Sequence, residues 1–213
     1  MRIAFVSGKG GVGKSTLCHL VALALANAGK TVAVEDRDPQ KSISSWIDPG
    51  RDGLRLCGEA EGVVQGGGAA EFHLIDTCPF LREPSVHDAV RTSDVIVMPC
   101  TPSPGDITAA RATIGLVDRL KKPAARAALV LNKVRAGTML AQDAPAMLRE
   151  LGAPVLATAL GDRQPVQKAV LLGWAALDAK LQGEVFKLAF ELLVRPEEQG
   201  GRVGGAAEMK IAA

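Results

Sequence analysis

The sequence predicts a single-domain α/β fold, a doubly wound and mostly parallel sheet with helices on both faces. Three observations predict it. Short apolar, β-branched runs alternate with helical patterns along the 213 residues, as repeated βαβ units do. Hydrophobic residues make up 47% of the chain, yet aromatics are only 3% and Tyr is absent. The core must therefore be Val, Leu, Ile and Ala, as in parallel strands covered on both sides. A glycine-rich stretch stands where the first apolar run hands over to the first helical one, at the strand end where open α/β sheets bind ligands.

The first strand is Ile3-Ala4-Phe5-Val6, and the first helix is an amphipathic run from Leu17 to Ala28. Between them, Gly8, Gly13, Lys14 and Ser15 fill the frame G-x-x-x-x-G-K-[ST] of a phosphate-binding loop. Glycines let the backbone turn its N–H groups around a polyphosphate, and the helix N-terminus adds partial positive charge. Lys14 then reaches the β- and γ-phosphates, and the Ser15 hydroxyl takes a Mg²⁺ position.

Gly29-Lys30 is placed as a helix C-cap before the second strand, Thr31 to Asp36. That strand delivers Asp36-Arg37-Asp38-Pro39-Gln40, followed by a short helix from Lys41 to Ile47. Residues 48–70 are rich in Gly and acidic groups, with one strand at Leu54 to Cys57; Gly66-Gly67-Gly68 is too flexible for regular structure. A strand from Glu71 to Asp76 follows, then a helix from Ser85 to Arg91 and a strand from Val95 to Met98. Two prolines and a glycine make Cys100 to Gly105 a loop, and Asp106 is expected to N-cap a helix ending near Leu120. The remainder reads as a strand at Ala127 to Leu131, a helix from Thr138 to Leu151 interrupted near Pro145, a last short strand at Val155 to Ala159, and helices at Pro165 to Leu172 and Leu177 to Val194. Residues 1–195 form the domain, and the glycine-rich segment 196–213 is expected to be a disordered tail.

No apolar run reaches the roughly 18 residues of a membrane helix, and residues 1–7 lack a signal-peptide layout, so a cytoplasmic location is expected. Cys18, Cys57, Cys78 and Cys100 stand far apart with no C-x-x-C pair. They are expected to be buried small hydrophobes, with no disulfide framework, zinc ribbon or further His, Cys or carboxylate cluster. Net charge is +2, but residues 121–195 carry 11 Lys and Arg against 6 Asp and Glu, so the positive excess lies late in the fold. Such a face permits nucleic-acid contact without requiring it.

A Mg²⁺-bound triphosphate needs a second anionic anchor for the metal. Asp76, ending an apolar strand, has Walker B character, although an aspartate there also suits a turn or cap. Asp36 and Asp38 stand two apart at a strand end, where one carboxylate can hold a Mg²⁺-bound water and the other orient the attacking water. The alternative is an Asp-Pro turn that caps the next helix. Lys9 is a second lysine that cannot easily reach the same phosphate as Lys14 from within its own chain. It is either a solvated charge or a group reaching the nucleotide of a partner subunit, as an arginine finger does.

Lys9-Gly10-Gly11-Val12-Gly13-Lys14-Ser15-Thr16 resembles the deviant Walker A motif of the ParA/MinD superfamily, and Asp36-Arg37-Asp38-Pro39-Gln40 resembles its D-x-D-P-Q element. The resemblance covers residues 1 to about 194 and is greatest to small ParA-type partition ATPases; Thr101-Pro102-Ser103-Pro104 with Asp106, and Asp162-Arg163-Gln164, are similar to segments of that subgroup. It implies a Mg²⁺-dependent ATPase forming an ATP-dependent sandwich dimer in which Lys9 contacts the other subunit's nucleotide. Lys14 and Ser15 hold phosphate and Mg²⁺, Asp38 assists the hydrolytic water, and Asp36 and Asp76 support the metal. It also implies binding to nonspecific double-stranded DNA, hence nucleoid association, and a ParB-like or cargo adaptor that triggers hydrolysis. Asn132 matches a position often used to read adenine, though its amide equally suits a loop cap. Arg163, Lys168, Lys180 and Lys187 are the candidates for DNA contact, with a solvated helix face as the alternative.

Glu35 and Arg37 are more polar than the usual surroundings of the D-x-D element, and the stretch from Cys57 to Glu71 is short where relatives often carry a helix. A MinD-like membrane switch is the alternative function. It is disfavoured because residues 196–213 lack the periodicity of a basic amphipathic helix, so no membrane partner is expected. An ATP-dependent ligase or reductase on the same fold would need a substrate pocket or metal cluster.

Overall fold

The computed structural model describes residues 1–58 and 69–194; Gly66-Gly67-Gly68 and the expected tail lie outside them. Strands β1 (Arg2–Phe5), β2 (Val32–Asp36), β3 (Leu54–Cys57), β4 (Phe72–Asp76), β5 (Val95–Cys100) and β6 (Arg126–Leu131) form one sheet. Its order is β3-β2-β4-β1-β5-β6 and every pair is parallel. The helices are α1 (Lys14–Asn27), α2 (Ser42–Trp46), α3 (Pro49–Asp52), α4 (Pro84–Thr92), α5 (Pro104–Leu120), α6 (Met139–Arg149), α7 (Gln164–Leu172) and α8 (Ala179–Leu193), with a 3₁₀ turn at Trp174–Ala176.

β1 shows why the sheet is covered twice. Side chains alternate across a strand, so Ile3 and Phe5 enter a core shared with α1, α7 and α8. Ala4 and Val6 enter a second core shared with α4, α5 and α6. All four are fully buried, and each of the larger ones contributes about 1.5–3 kcal/mol.

The first helix departs from expectation. α1 is not amphipathic but buried along Leu17–Leu25. Its apolar residues surround the helix, which suits an element covered on all sides. The outer cover is α8, whose Leu181, Val185, Leu188 and Leu192 recur at helical spacing and are buried in the same core. The expected C-cap is present: Gly29 has φ +76°, and the bonds Gly29 N–H to Ala26 O and Lys30 N–H to Leu25 O form a Schellman motif.

Four other boundaries differ. β5 continues through Pro99 to Cys100. Val97 O accepts from Val6 N–H, so Pro99, on the same side, lies past the end of β1 where no ladder donor is needed. Asp106 is not the N-cap of α5; Ser103 is, with Pro104 in the first helical position, where a proline's missing N–H costs nothing. α6 runs through Pro145, whose ring is buried. Among the described residues, the segment expected as a strand at Val155 to Ala159 is held to β6 by isolated bridging bonds, such as Leu156 N–H to Leu129 O, and not by a continuous ladder.

His19 is the polar exception within the buried part of α1. Neither ring nitrogen has a hydrogen-bond partner among the described residues, and Asp52 Oδ2 stands 3.9 Å from Nε2. Burial lowers its pKa from 6.5 to about 4; Asp52 opposes that shift and Arg51 adds to it. The unfolded chain therefore binds the proton first as pH falls. Stability is fully present above about pH 6.5 and is lost towards pH 4, with a ceiling of about 3 kcal/mol at ~1.4 kcal/mol per pKa unit. His19→Leu is expected to flatten the acid limb of a denaturation-midpoint profile over that window; an unchanged slope would refute the assignment.

Candidate functional site

The chain leaves β1 at the centre of the sheet and turns through Ser7–Gly13 into α1. Gly11 and Gly13 have φ of +82° and +94°, in the left-handed region that favours glycine. Gly13 is the N-cap of α1, and no side chain among the described residues caps the helix. Its first N–H groups therefore remain available to an anion. The loop is braced from outside: Gly8 N–H donates to Thr113 Oγ1 at 3.1 Å, Asn132 Nδ2 donates to Val12 O at 2.8 Å, and Lys133 Nζ donates to Gly11 O at 2.7 Å.

The cavity over this loop has a volume of about 330 Å³ and is lined by Gly10, Gly11, Gly13, Lys14, Ser15 and Thr16, together with Asp38, Gln40, Ser42, Trp46, Pro79 and Lys133. Six residues of the predicted loop and Asp38 are thus brought together. Gly8 and Val12 are not in the lining: Val12 is buried, and a Cβ on Gly8 would lie 2.7 Å from Leu81 Cδ1. Lys9 is exposed and also stands outside the lining. Asn132 is buried behind the loop, where its amide nitrogen is bonded to backbone.

Lys14 is 6% exposed. Burial lowers its pKa, and the charges of Asp76 and Asp38 partly restore it. Asp76, at the end of β4, is fully buried, and neither carboxylate oxygen has a hydrogen-bond partner among the described residues. Burial pushes its pKa up to about 7; Ser15 and Lys14 oppose the shift, while Asp36 and Asp38 add to it. An orphaned buried carboxylate beside a loop serine fits a hard divalent cation with oxygen ligands.

Asp36 is differently placed. Its Oδ1 accepts from Asp38 N–H and its Oδ2 from Ser44 N–H, both at 3.0 Å, and Asp38 Oδ1 accepts from Gln40 N–H at 2.9 Å. The turn reading is therefore realised in the structure, and it orients Asp38 towards the cavity. Arg37 points away: buried, it donates to Glu35 Oε1 at 2.6 Å, Asp88 Oδ2 at 2.7 Å and Ser85 O at 2.9 Å.

The later basic residues do not join this site. Lys168 on α7 and Lys180 and Lys187 on α8 are exposed, whereas Arg163 forms an ion pair with Glu184 at 3.0 Å. Sequence reasoning missed Gln40, Ser42, Trp46, Pro79 and Lys133. Gln40, Ser42 and Trp46 follow Asp38 closely, so the D-x-D-P-Q segment was the signal for them; Lys133 had only its adjacency to Asn132. Among the described residues no helix is long and apolar enough to cross a membrane.

Residues 3–173 match the model of the CobQ/CobB/MinD/ParA nucleotide-binding domain. "Maintenance of carboxysome distribution protein A" from Halothiobacillus neapolitanus is 28% identical over 85% of this chain and 88% of its own. The protein of the same name from Gloeobacter kilaueensis is 31% identical over 82% and 83%. Among solved structures, a plasmid partition protein from Borrelia burgdorferi B31 bound to AMPPNP superposes with a TM-score of 0.70, covering 90% of this chain and 98% of that one at 17% identity. That last likeness speaks for the fold. With a match spanning most of the chain and a phosphate loop built as described, the protein belongs to the CobQ/CobB/MinD/ParA family of P-loop nucleotide-binding proteins.

Proposed function

We propose that this chain is a ParA-type positioning ATPase, closing an ATP-bound dimer that holds duplex DNA without sequence preference and spaces a cargo through an adaptor protein. One observation carries the reading: Lys14 is buried at the floor of the nucleotide cavity, while Lys9 is exposed and outside it. A second lysine so placed serves a nucleotide presented by another subunit, supplying charge in trans.

Within one subunit the loop N–H groups and Lys14 would hold the β- and γ-phosphates. Ser15 and Asp76, supported by Asp36, would hold Mg²⁺, which neutralises charge on the phosphates when bound. Asp38 orients water for in-line attack on the γ-phosphorus; the water oxygen forms the new P–O bond, the bond to ADP breaks, and the water proton passes through the Asp38 carboxylate to solvent or phosphate. The relatives named for carboxysome distribution favour a protein assembly over a plasmid as the cargo.

DNA binding tests the reading. Affinity for an arbitrary duplex is expected to require ATP and to fall about a hundredfold between 50 and 200 mM salt, as phosphate contacts dictate. Equal binding with ADP, or none at low salt, would sink the proposal. Lys9→Ala is expected to abolish ATP-dependent dimers in light scattering while the monomer still binds nucleotide. Loss of monomer binding would contradict action in trans.

A further inference from the structure

A second chemical cluster lies on the sheet face opposite α1, where the sequence showed none. Val32 and Val34 of β2, Leu54 and Leu56 of β3, and Leu74 of β4 pack into the α1 core. By strand alternation Glu35, Cys57 and His73 face the other way, on three adjacent strands whose register pairs Glu35 with Cys57 and His73 with Ala33. His73 Nε2 lies 2.9 Å from Glu35 Oε2 and 3.2 Å from Cys57 Sγ. One donor atom from each residue falls within 4.8 Å of the other two.

We propose that Glu35, Cys57 and His73 form a binding site for one Zn²⁺ ion, which ties the edge strand β3 to β2 and β4. Thiolate, imidazole and carboxylate together select a borderline-soft divalent ion over Mg²⁺, which prefers an all-oxygen shell. Tetrahedral zinc at roughly 2.0–2.3 Å from each donor needs those donors about 3.3–3.8 Å apart, so the Glu35–His73 and Cys57–His73 pairs open by a few tenths of an ångström to admit it, and the Glu35–Cys57 pair lies within 4.8 Å. The carboxylate is already oriented to receive the ion. Arg37 holds Glu35 Oε1, and Asp88 and the Ser85 carbonyl hold Arg37, leaving Oε2 to the metal. Arg2 Nη2, 3.6 Å from Oε2, is the cation the metal displaces.

Zn²⁺ takes these donors as an imidazole free at Nε2, a carboxylate and a thiolate, and burial holds the Cys57 thiol up at about 11. Binding therefore forms the Zn–S bond as the S–H bond breaks, with that proton released to solvent, and forms the Zn–N bond as any proton on His73 Nε2 leaves for Nδ1 or solvent. Water takes the fourth position.

The test uses the full chain without nucleotide, in millimolar Mg²⁺, titrated with Zn²⁺. One Zn²⁺ per chain is expected, with affinity lowered more than about tenfold by Cys57→Ser or His73→Gln. Lys14→Ala, which disables the phosphate loop, leaves uptake unchanged and so separates this site from the nucleotide-bound metal. Co²⁺ in place of Zn²⁺ supplies a readout on the wild-type chain: a thiolate-to-cobalt charge-transfer band that Cys57→Ser removes. Absence of stoichiometric Zn²⁺ uptake by the wild type, or a cobalt band surviving in Cys57→Ser, would overturn the assignment.

Discussion

Gly13→Ala is expected to lower nucleotide affinity at least a hundredfold and to destabilise the apo protein by about 2–3 kcal/mol. Two costs combine. The residue sits at φ +94°, where a side chain costs about 1–2 kcal/mol. A Cβ there would also lie 2.2 Å from Asn132 Nδ2, the atom that holds Val12 O, and losing that bond costs about 1 kcal/mol more. The loop N–H groups then no longer converge on phosphate. Asn132→Ala in the same chain relieves the clash but not the backbone strain, so the double variant should recover part of the stability and little of the affinity. Calorimetric nucleotide titration with denaturant unfolding of the four chains measures both; full recovery in the double variant would show that the left-handed backbone is not needed.

Asp76→Asn separates stability from function. With a folded-state pKa raised from 3.8 to about 7, the wild-type carboxyl contributes its full stability below the unfolded value. That contribution disappears as pH rises through 7, because the unfolded chain releases the proton first. At pH 8 the buried carboxylate is charged with no hydrogen-bond partner among the described residues, and a neutral amide should raise apo stability by about 1 kcal/mol. Lys14 loses a nearby counter-charge, which offsets part of the gain. ATP hydrolysis should nonetheless fall about a hundredfold or more, the usual cost of removing a transition-state electrostatic group. Thermal unfolding with and without Mg²⁺-nucleotide checks the pair: the wild type should be stabilised strongly by the ligand and the variant weakly. A variant less stable than wild type at pH 8 and still active would refute the role given to this carboxylate.

Much of the candidate nucleotide site was legible along the chain because phosphate binding is local chemistry. A polyphosphate needs glycine backbone, a lysine and a hydroxyl within eight residues, and residues 8–15 supply them in order. Asp38 and Asp76 were equally legible as carboxylates at the ends of apolar runs, since a parallel sheet delivers those ends to one edge. The two readings of Asp36 could not be separated in the same way, because the backbone donors that occupy it come from Asp38 and Ser44 and depend on how the turn closes.

Residue type and spacing were enough to set the alternation of strands and helices, the phosphate loop and the aliphatic character of both cores. They were not enough to show that α1 is buried on every side beneath α8, that Asn132 and Lys133 brace the loop, or that Glu35, Cys57 and His73 converge. Those arrangements come from tertiary packing and depend on the strand order β3-β2-β4-β1-β5-β6. That order sets which distant residues become neighbours, and no periodicity along a single strand encodes it.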